Sequence, residues 1–306
     1  MKMSASTNGL DIQKNYISIA QYAPLDSSVL QVAIQPLSVD EFEGGFWESV
    51  AEELKNIKKI FRFGTSDVVC SLLSEQAVIK TLQVESDELE PQDVLNWELG
   101  QHLVGSADEY AFDFQEIASG FGDEYRRYLA AAVRMEAVAK LRKTVKSVKL
   151  NPLVIDLDLF ALVNAFEANY PERLSETAVL VHGEDDCTRL VLTTNGTFID
   201  YSVFDFNADE QDETFFCEKL RQESDRLVSV NADVLEDGNV TTFFAGSLFS
   251  NQQFSSSIVD SISQSELLNP FRKITCSIGV DDEQLKTYSS QLAVSVGLAL
   301  RGDEAE

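Results

Sequence analysis

His182 stands two residues ahead of Glu184-Asp185-Asp186, which puts a base beside three carboxylates. Such a group could serve as a general base, but no Ser or Cys stands in a nucleophile motif of the G-x-S-x-G kind to use it. A hydrogen-bonded structural histidine is the favoured reading of His182. The three carboxylates lack the spaced oxygen ligands of a calcium loop, so they read as a solvated turn. Asp156 and Asp158 alternate with apolar residues, as a carboxylate pair for acid–base work would. The simpler reading is that one of them caps the helix that follows. Cys70, Cys187, Cys217 and Cys276 form no C-x-x-C pair, and His102 and His182 are the only histidines. Zinc needs clustered ligands, so no metal site is expected. These residues therefore give no catalytic group.

Two other groups suggest binding. Arg134, Lys140, Arg142, Lys143, Lys146 and Lys149 enclose a single acid, Glu136. On a helix Arg142, Lys146 and Lys149 share a face. They read either as a solvated face paired with neighbouring acids or as a patch facing anionic lipid or an acidic partner. Trp97, with Asn96, Gln101, Leu103 and Arg134 as neighbours, reads either as core or as the wall of a peptide-binding groove.

The whole chain narrows these choices. It has 306 residues, 24 Lys+Arg and 51 Asp+Glu, for a net charge of −27. Residues 1–150 are net −8 and residues 151–306 net −19. That field repels phosphate backbones, so nucleic acid is not an expected partner. With 44% hydrophobic residues the chain can build a core, which excludes wholesale disorder. No apolar run is long enough to span a bilayer, and Met1–Leu10 has no apolar core of a signal peptide. Scattered thiols fit a reducing cytoplasm.

The elements that carry these residues form a pattern that occurs twice. A short start at Leu10–Gln13 precedes strands at Tyr16–Ala23 and Val29–Leu37. Phe46, Val50, Leu54, Ile57 and Phe61 then recur at helical spacing, ahead of a β-rich run at Thr65–Leu73. The second copy has strands at Thr177–His182, Thr188–Thr194 and Thr197–Phe204, the last two flanking the hairpin signal Asn195-Gly196. A polar helix over Asp212–Val230 and a strand at Val240–Ala245 complete it. Between the copies lie a helix opened by Pro91, strands at Tyr110–Ile117 and Tyr125–Val133, and a basic helix over Met135–Lys149. A strand at Pro152–Asp156 and an apolar helix at Leu157–Phe166 follow. The pattern predicts a closing helix over Gln284–Arg301 and a polar tail over Gly302–Glu306. The result is an α/β chain of two related lobes with an αββα insertion.

Several phrases resemble the PilM family, the FtsA-like proteins of type IV pilus assembly. They are Leu10-Asp11-Ile12, Trp97-Glu98 with Gln101, Leu129 to Arg134, Val154-Ile155-Asp156 running into Phe160-Ala161-Leu162, Leu268-Asn269-Pro270-Phe271, and Gly297 to Arg301. They occur in the family's order across nearly the whole chain. The resemblance implies an actin-like fold, a duplicated ribonuclease H-like pair of lobes with an FtsA-type inserted subdomain. Residues 1–83 would begin the first lobe, 84–150 form the inserted αββα subdomain, and 151–306 the second lobe, its last helix returning to the first. It also implies a cytoplasmic location at the inner face of the membrane. The partner would be the N-terminal cytoplasmic tail of a bitopic inner-membrane protein, PilN, gripped in a groove between the first lobe and the inserted subdomain, near Asn96, Trp97, Gln101, Leu103 and Arg134. Ring or platform assembly, contact with assembly motors and peripheral membrane association go with that role.

The family is also described as binding ATP, through two glycine-rich phosphate hairpins, acidic residues that hold Mg²⁺, and a Gly-Gly turn beside adenine. The matching positions here are Asp11 and Gln13, then Gly183, Asp185 and Thr188, then Gly246. Gln13 replaces the first loop's glycine, and Ser18 replaces its lysine. Val181 replaces an aspartate, and Glu184-Asp185-Asp186 fill the second turn. Two like charges at ~4 Å repel by about 4 kcal/mol at an effective dielectric near 20. The expectation is a non-catalytic scaffold with no cofactor. The rival expectation is a working ATPase with Mg²⁺ at a divergent site. A third is the cytoplasmic platform protein of a type II secretion system, disfavoured because no membrane helix follows Arg301. A sugar kinase of the same superfamily is disfavoured by length and by the same loops.

Overall fold

The computed structural model describes residues 6–37, 45–117, 124–235, 239–276, 285 and 287–301. Strand β1 (Thr7–Ile12), β2 (Tyr16–Ala23) and β3 (Ser28–Pro36) form an antiparallel meander. Helix α1 (Phe46–Ile60) follows and buries Val50, Leu54 and Ile57 at the predicted spacing. Strand β4 (Asp67–Leu72) then returns parallel to β1.

Strand β5 (Ala77–Glu85), α2 (Pro91–Gly100), β6 (Tyr110–Ile117), β7 (Tyr125–Arg134) and α3 (Met135–Ser147) come next. Then β8 (Asn151–Leu157) pairs with β4, and α4 (Asp158–Asn169) crosses to the second half. There β9 (Thr177–Gly183), β10 (Cys187–Thr194) and β11 (Thr197–Asp205) repeat the meander. Helix α5 (Glu213–Val230) and β12 (Val240–Ala245) repeat the crossover. The chain continues through α6 (Gln252–Ser261), β13 (Ser265–Leu267), β14 (Thr275–Cys276) and α7 (Ala293–Arg301).

The duplication is literal in the strand order. One sheet runs β14-β3-β2-β1-β4-β8 and the other β11-β10-β9-β12-β13. Each is an antiparallel trio joined to parallel strands through a crossover helix. Strands β9 and β10 are buried on both faces, which is why they read as apolar runs rather than alternating ones. Asn195 and Gly196 both take positive φ, 50° and 66°, so the hairpin closes as predicted. Asp212 caps α5 by accepting from the Phe215 amide at 2.9 Å.

Helices α4 and α7 cross closely in the layer that joins the lobes. A Cβ on Gly297 would lie 1.8 Å from the Ala161 carbonyl oxygen, and one on Gly9 would lie 2.0 Å from that of Ser295. Only glycine lets α7 sit this near both α4 and β1. One apolar core runs through both halves, from Leu10 and Leu54 through Leu159 and Leu162 to Leu180, Phe243 and Leu298.

Three expectations change. The third sheet, in order β5-β7-β6, starts at Ala77, ahead of residue 84, where the inserted unit is expected to begin. Its first strand was not predicted because only Ile79, Leu82 and Val84 are buried, a broken alternation. Helix α3 stops at Ser147, and Lys149 takes a left-handed φ of 61°, so it leaves the face of Arg142 and Lys146. The closing helix is interrupted: a 3-10 turn at Ser289–Leu292 precedes α7. Its expected start at Gln284 and the tail at 302–306 lie outside the described residues.

Candidate functional site

The β1–β2 turn (Gln13, Lys14, Asn15) and the β9–β10 turn (Glu184, Asp185, Asp186) face each other across the lobes. Their side chains join. Lys14 Nζ meets Asp186 Oδ2 at 2.8 Å and Glu75 Oε1 at 2.9 Å. Asn15 Nδ2 donates to Asp185 Oδ2 at 2.7 Å, and the Tyr16 hydroxyl donates to Glu184 Oε1 at 3.1 Å. Glu184 also accepts from the amide and hydroxyl of Ser247. The acidic turn is thus not simply solvated: Glu184 is buried, and its neighbours are spent on bridges.

Beneath the turns lies Arg189, only 1% exposed. Its guanidinium reaches Glu75 Oε2 at 3.1 Å, Asp158 Oδ2 at 3.4 Å and Gln13 Oε1 at 3.5 Å. It also lies 3.2 Å from His182 Nδ1. Arg has only donors, so Nδ1 must accept and the imidazole proton sits on Nε2, facing Glu184 Oε1 at 3.4 Å. Asp158 is not the helix cap expected. It accepts from the Ser74 amide and hydroxyl and faces the buried cation. The N-cap of α4 is Leu157, with no side-chain bond.

Burial sets the protonation here. It pushes Asp11 up to about 7 against the hydrogen bond from Ser71, and Glu184 up to about 8 against those from Ser247. It pushes His182 down to about 3, with the Arg189 charge adding to the effect. At neutral pH the histidine is uncharged, as its structural reading requires.

The candidate nucleotide residues converge on this cleft, and several of them are held by contacts within the protein. Gln13 Nε2 donates to Asp11 Oδ1 at 2.9 Å. Gly183 pairs with Thr188 in register. A Cβ on Gly246, whose φ is 105°, would lie 2.2 Å from the Gly183 carbonyl oxygen, and one on Gly183 would lie 2.7 Å from the Phe249 ring, so packing within the protein requires both glycines. A cavity of about 510 Å³ persists beside Ser247, lined in part by Asp185, Asp212 and Glu213. No group of ligands for a metal ion occurs among the described residues. Arg189, Glu75, Ser71 and Ser74 were missed in the sequence. For Arg189 a signal exists: a lone cation at the head of the apolar run Leu190-Val191-Leu192 must find a buried partner.

An open groove lies elsewhere, about 580 Å³, between two sheets. Strand β6 is an edge of the third sheet and β8 an edge of the first, and both line it. Phe160 and Val163 of α4 contribute apolar surface, and Phe198 of the β10–β11 hairpin adds a wall, edge-on to Phe160 at 5.3 Å. Asp113, Arg142, Asp156 and Arg301 give it a polar lining, with Arg301 Nε 3.1 Å from Asp156.

The five expected partner-binding residues do not line this groove. Helix α2 covers the opposite face of the third sheet through Leu95 and Leu99, so Trp97, 67% exposed, points away. Asn96 and Gln101 are exposed beside it, and Leu103 packs under α2. Arg134 pairs with Glu109 at 2.9 Å and lies over the Tyr110 ring. Of the basic residues, Arg142 reaches the groove. Lys140 pairs with Glu136 at 2.8 Å, and Lys143, Lys146 and Lys149 are exposed.

The family model for type IV pilus assembly protein PilM matches residues 9–190. No curated protein matches the chain. Among solved structures, the chain is similar to the PilM-PilN type IV pilus biogenesis complex, with a TM-score of 0.77 at 20% identity, covering 97% of this chain and 98% of that one. A Bacteroides thetaiotaomicron protein of unknown function with an actin-like ATPase fold gives 0.51 at 9% identity, over 88% of this chain and 93% of that one. The ethanolamine utilization protein EutJ from Carboxydothermus hydrogenoformans gives 0.52 at 8%, over 96% and 89%. These likenesses fix the fold as actin-like.

Proposed function

The chain belongs to the family of type IV pilus assembly protein PilM, and we propose that it works in such a machine as a non-catalytic scaffold. It grips the extended tail of a PilN-like membrane protein and needs no nucleotide to do so. The observation that carries this is the groove: an apolar floor between two strand edges, β6 and β8, unpaired among the described residues, either of which can add an extended peptide as a further strand. The solved relative is a complex with PilN, which supports a tail of that kind as the occupant. The bridged cleft supports the non-catalytic half. A triphosphate would have to displace Lys14–Asp186 and Asn15–Asp185 and then sit among carboxylates. This reading places the chain at the cytoplasmic face of the membrane.

The test is a labelled synthetic peptide copying the N-terminal tail of the PilN-like protein of the same organism, titrated with the full chain by fluorescence anisotropy. Saturable binding is expected. Phe198→Glu should weaken it at least about tenfold, by burying a charge against an apolar wall. Trp97→Ala should leave it unchanged. A peptide that does not bind, or that responds to Trp97 and not to Phe198, defeats the reading. The rival ATPase reading draws on the cavity beside Ser247. A rise of several degrees in melting temperature with millimolar ATP and Mg²⁺ would favour it.

A further inference from the structure

Nine of the chain's basic residues stand on or just after two helices of one layer. Helices α1 and α3 pack side by side through Leu54, Ile57, Leu141, Val145 and Val148. Lys58 Nζ donates to the Val148 carbonyl at 2.6 Å, which brings their C-terminal ends together. The acids of both helices, Glu48, Glu52, Glu53 and Glu136, lie in the N-terminal halves. The joined ends present Lys58, Lys59, Lys143 and Lys146 to solvent, with Ile60 70% exposed at the end of α1.

We propose that this α1–α3 face is a docking surface for an anionic lipid bilayer. Helix dipoles account for a lysine in each last turn. They do not account for Lys143 farther back, which, like Lys146, has no carboxylate partner among the described residues. In a chain of net −27, unpaired cations gathered on one face mark where anions are meant to come. The face is a two-helix layer rather than a cavity, and it carries one exposed aliphatic side chain among the cations. That combination matches a lipid headgroup plane better than a folded acidic protein. The remaining negative charge does not forbid the contact, because beyond about 8 Å at physiological ionic strength it is screened. The inference does not depend on what the groove holds.

Vesicle co-sedimentation of the full chain tests it, with phosphatidylglycerol–phosphatidylcholine vesicles against phosphatidylcholine alone. The chain should pellet with the anionic vesicles only, and less as salt is raised. Each basic group near an anionic surface strengthens partitioning about fivefold, so Lys143→Gln with Lys146→Gln should weaken it roughly 25-fold. Lys273→Gln, an exposed lysine of the second lobe, should change nothing. Both lysines of the double variant are exposed, and an unchanged melting temperature certifies its fold. Equal pelleting with neutral vesicles, or an unaffected double variant, overturns the proposal. So does self-association without vesicles that the double variant abolishes, which would make the face a contact between copies.

Discussion

Arg189 is the buried cation of the cleft, and its loss leaves the fully buried Asp158 without a counter-charge. Arg189→Met should therefore lower stability by roughly 3–5 kcal/mol, read as a shift in urea midpoint at unchanged slope. The titrating groups around it give a pH dependence. The folded state holds protons on Asp11 and Glu184 to higher pH than the unfolded chain does, so these carboxyls make stability fall as pH rises through the interval between the two values. His182 does the reverse between about 3 and 6.5, because only the unfolded chain takes up its proton there. Above 6.5 the histidine is silent and the carboxyls alone remain. Stability should thus decline from about pH 6.5 to 8, at up to about 1.4 kcal/mol per pH unit for each such proton. Glu184→Gln should flatten that decline, measured by urea unfolding across the interval.

At the scale of elements, α7 is the piece whose position is most tightly specified. Gly297 has the Ala161 backbone where a Cβ would go, so Gly297→Ala must push α7 off α4. Overpacking of this kind costs about 1–3 kcal/mol, and more where the obstacle is backbone. Thermal melting of the variant should show the loss, whereas Gly100→Ala, with open space around it at the end of α2, should not. The groove depends on elements in another way. Its two strand edges come from different sheets, and its wall from the β10–β11 hairpin, so it exists only when three units are packed together.

For the whole molecule, the shared core predicts cooperativity. Apolar residues of both sheets and of the third sheet, including Leu10, Leu129 and Leu180, belong to one cluster. Near- and far-ultraviolet circular dichroism should therefore report a single coincident unfolding transition. The bridged cleft predicts that millimolar ATP with Mg²⁺ leaves that transition where it is, because a ligand stabilises only what it binds. Lobes that melt separately, or a transition raised by nucleotide, would count against this picture.

By itself the sequence determined the local elements, the duplication and the departures from the phosphate loops. Those are properties of neighbours in the chain: helical spacing in Phe46–Phe61, the Asn195-Gly196 turn, a glutamine where a glycine is needed. Even the Gly297 phrase was visible, though not its reason, which is the Ala161 backbone far away in sequence. What only the tertiary structure decided is which side chains meet across the lobes. Arg189 and Asp158 are 31 positions apart and Lys14 and Asp186 172, and no periodicity encodes such pairs. The groove does lie between the first lobe and the insertion, as expected, but which residues line it was hidden for the same reason. Trp97 reads as core or as groove wall alike because a helix can cover either face of a sheet, and packing alone put it on the face away from the groove, exposed.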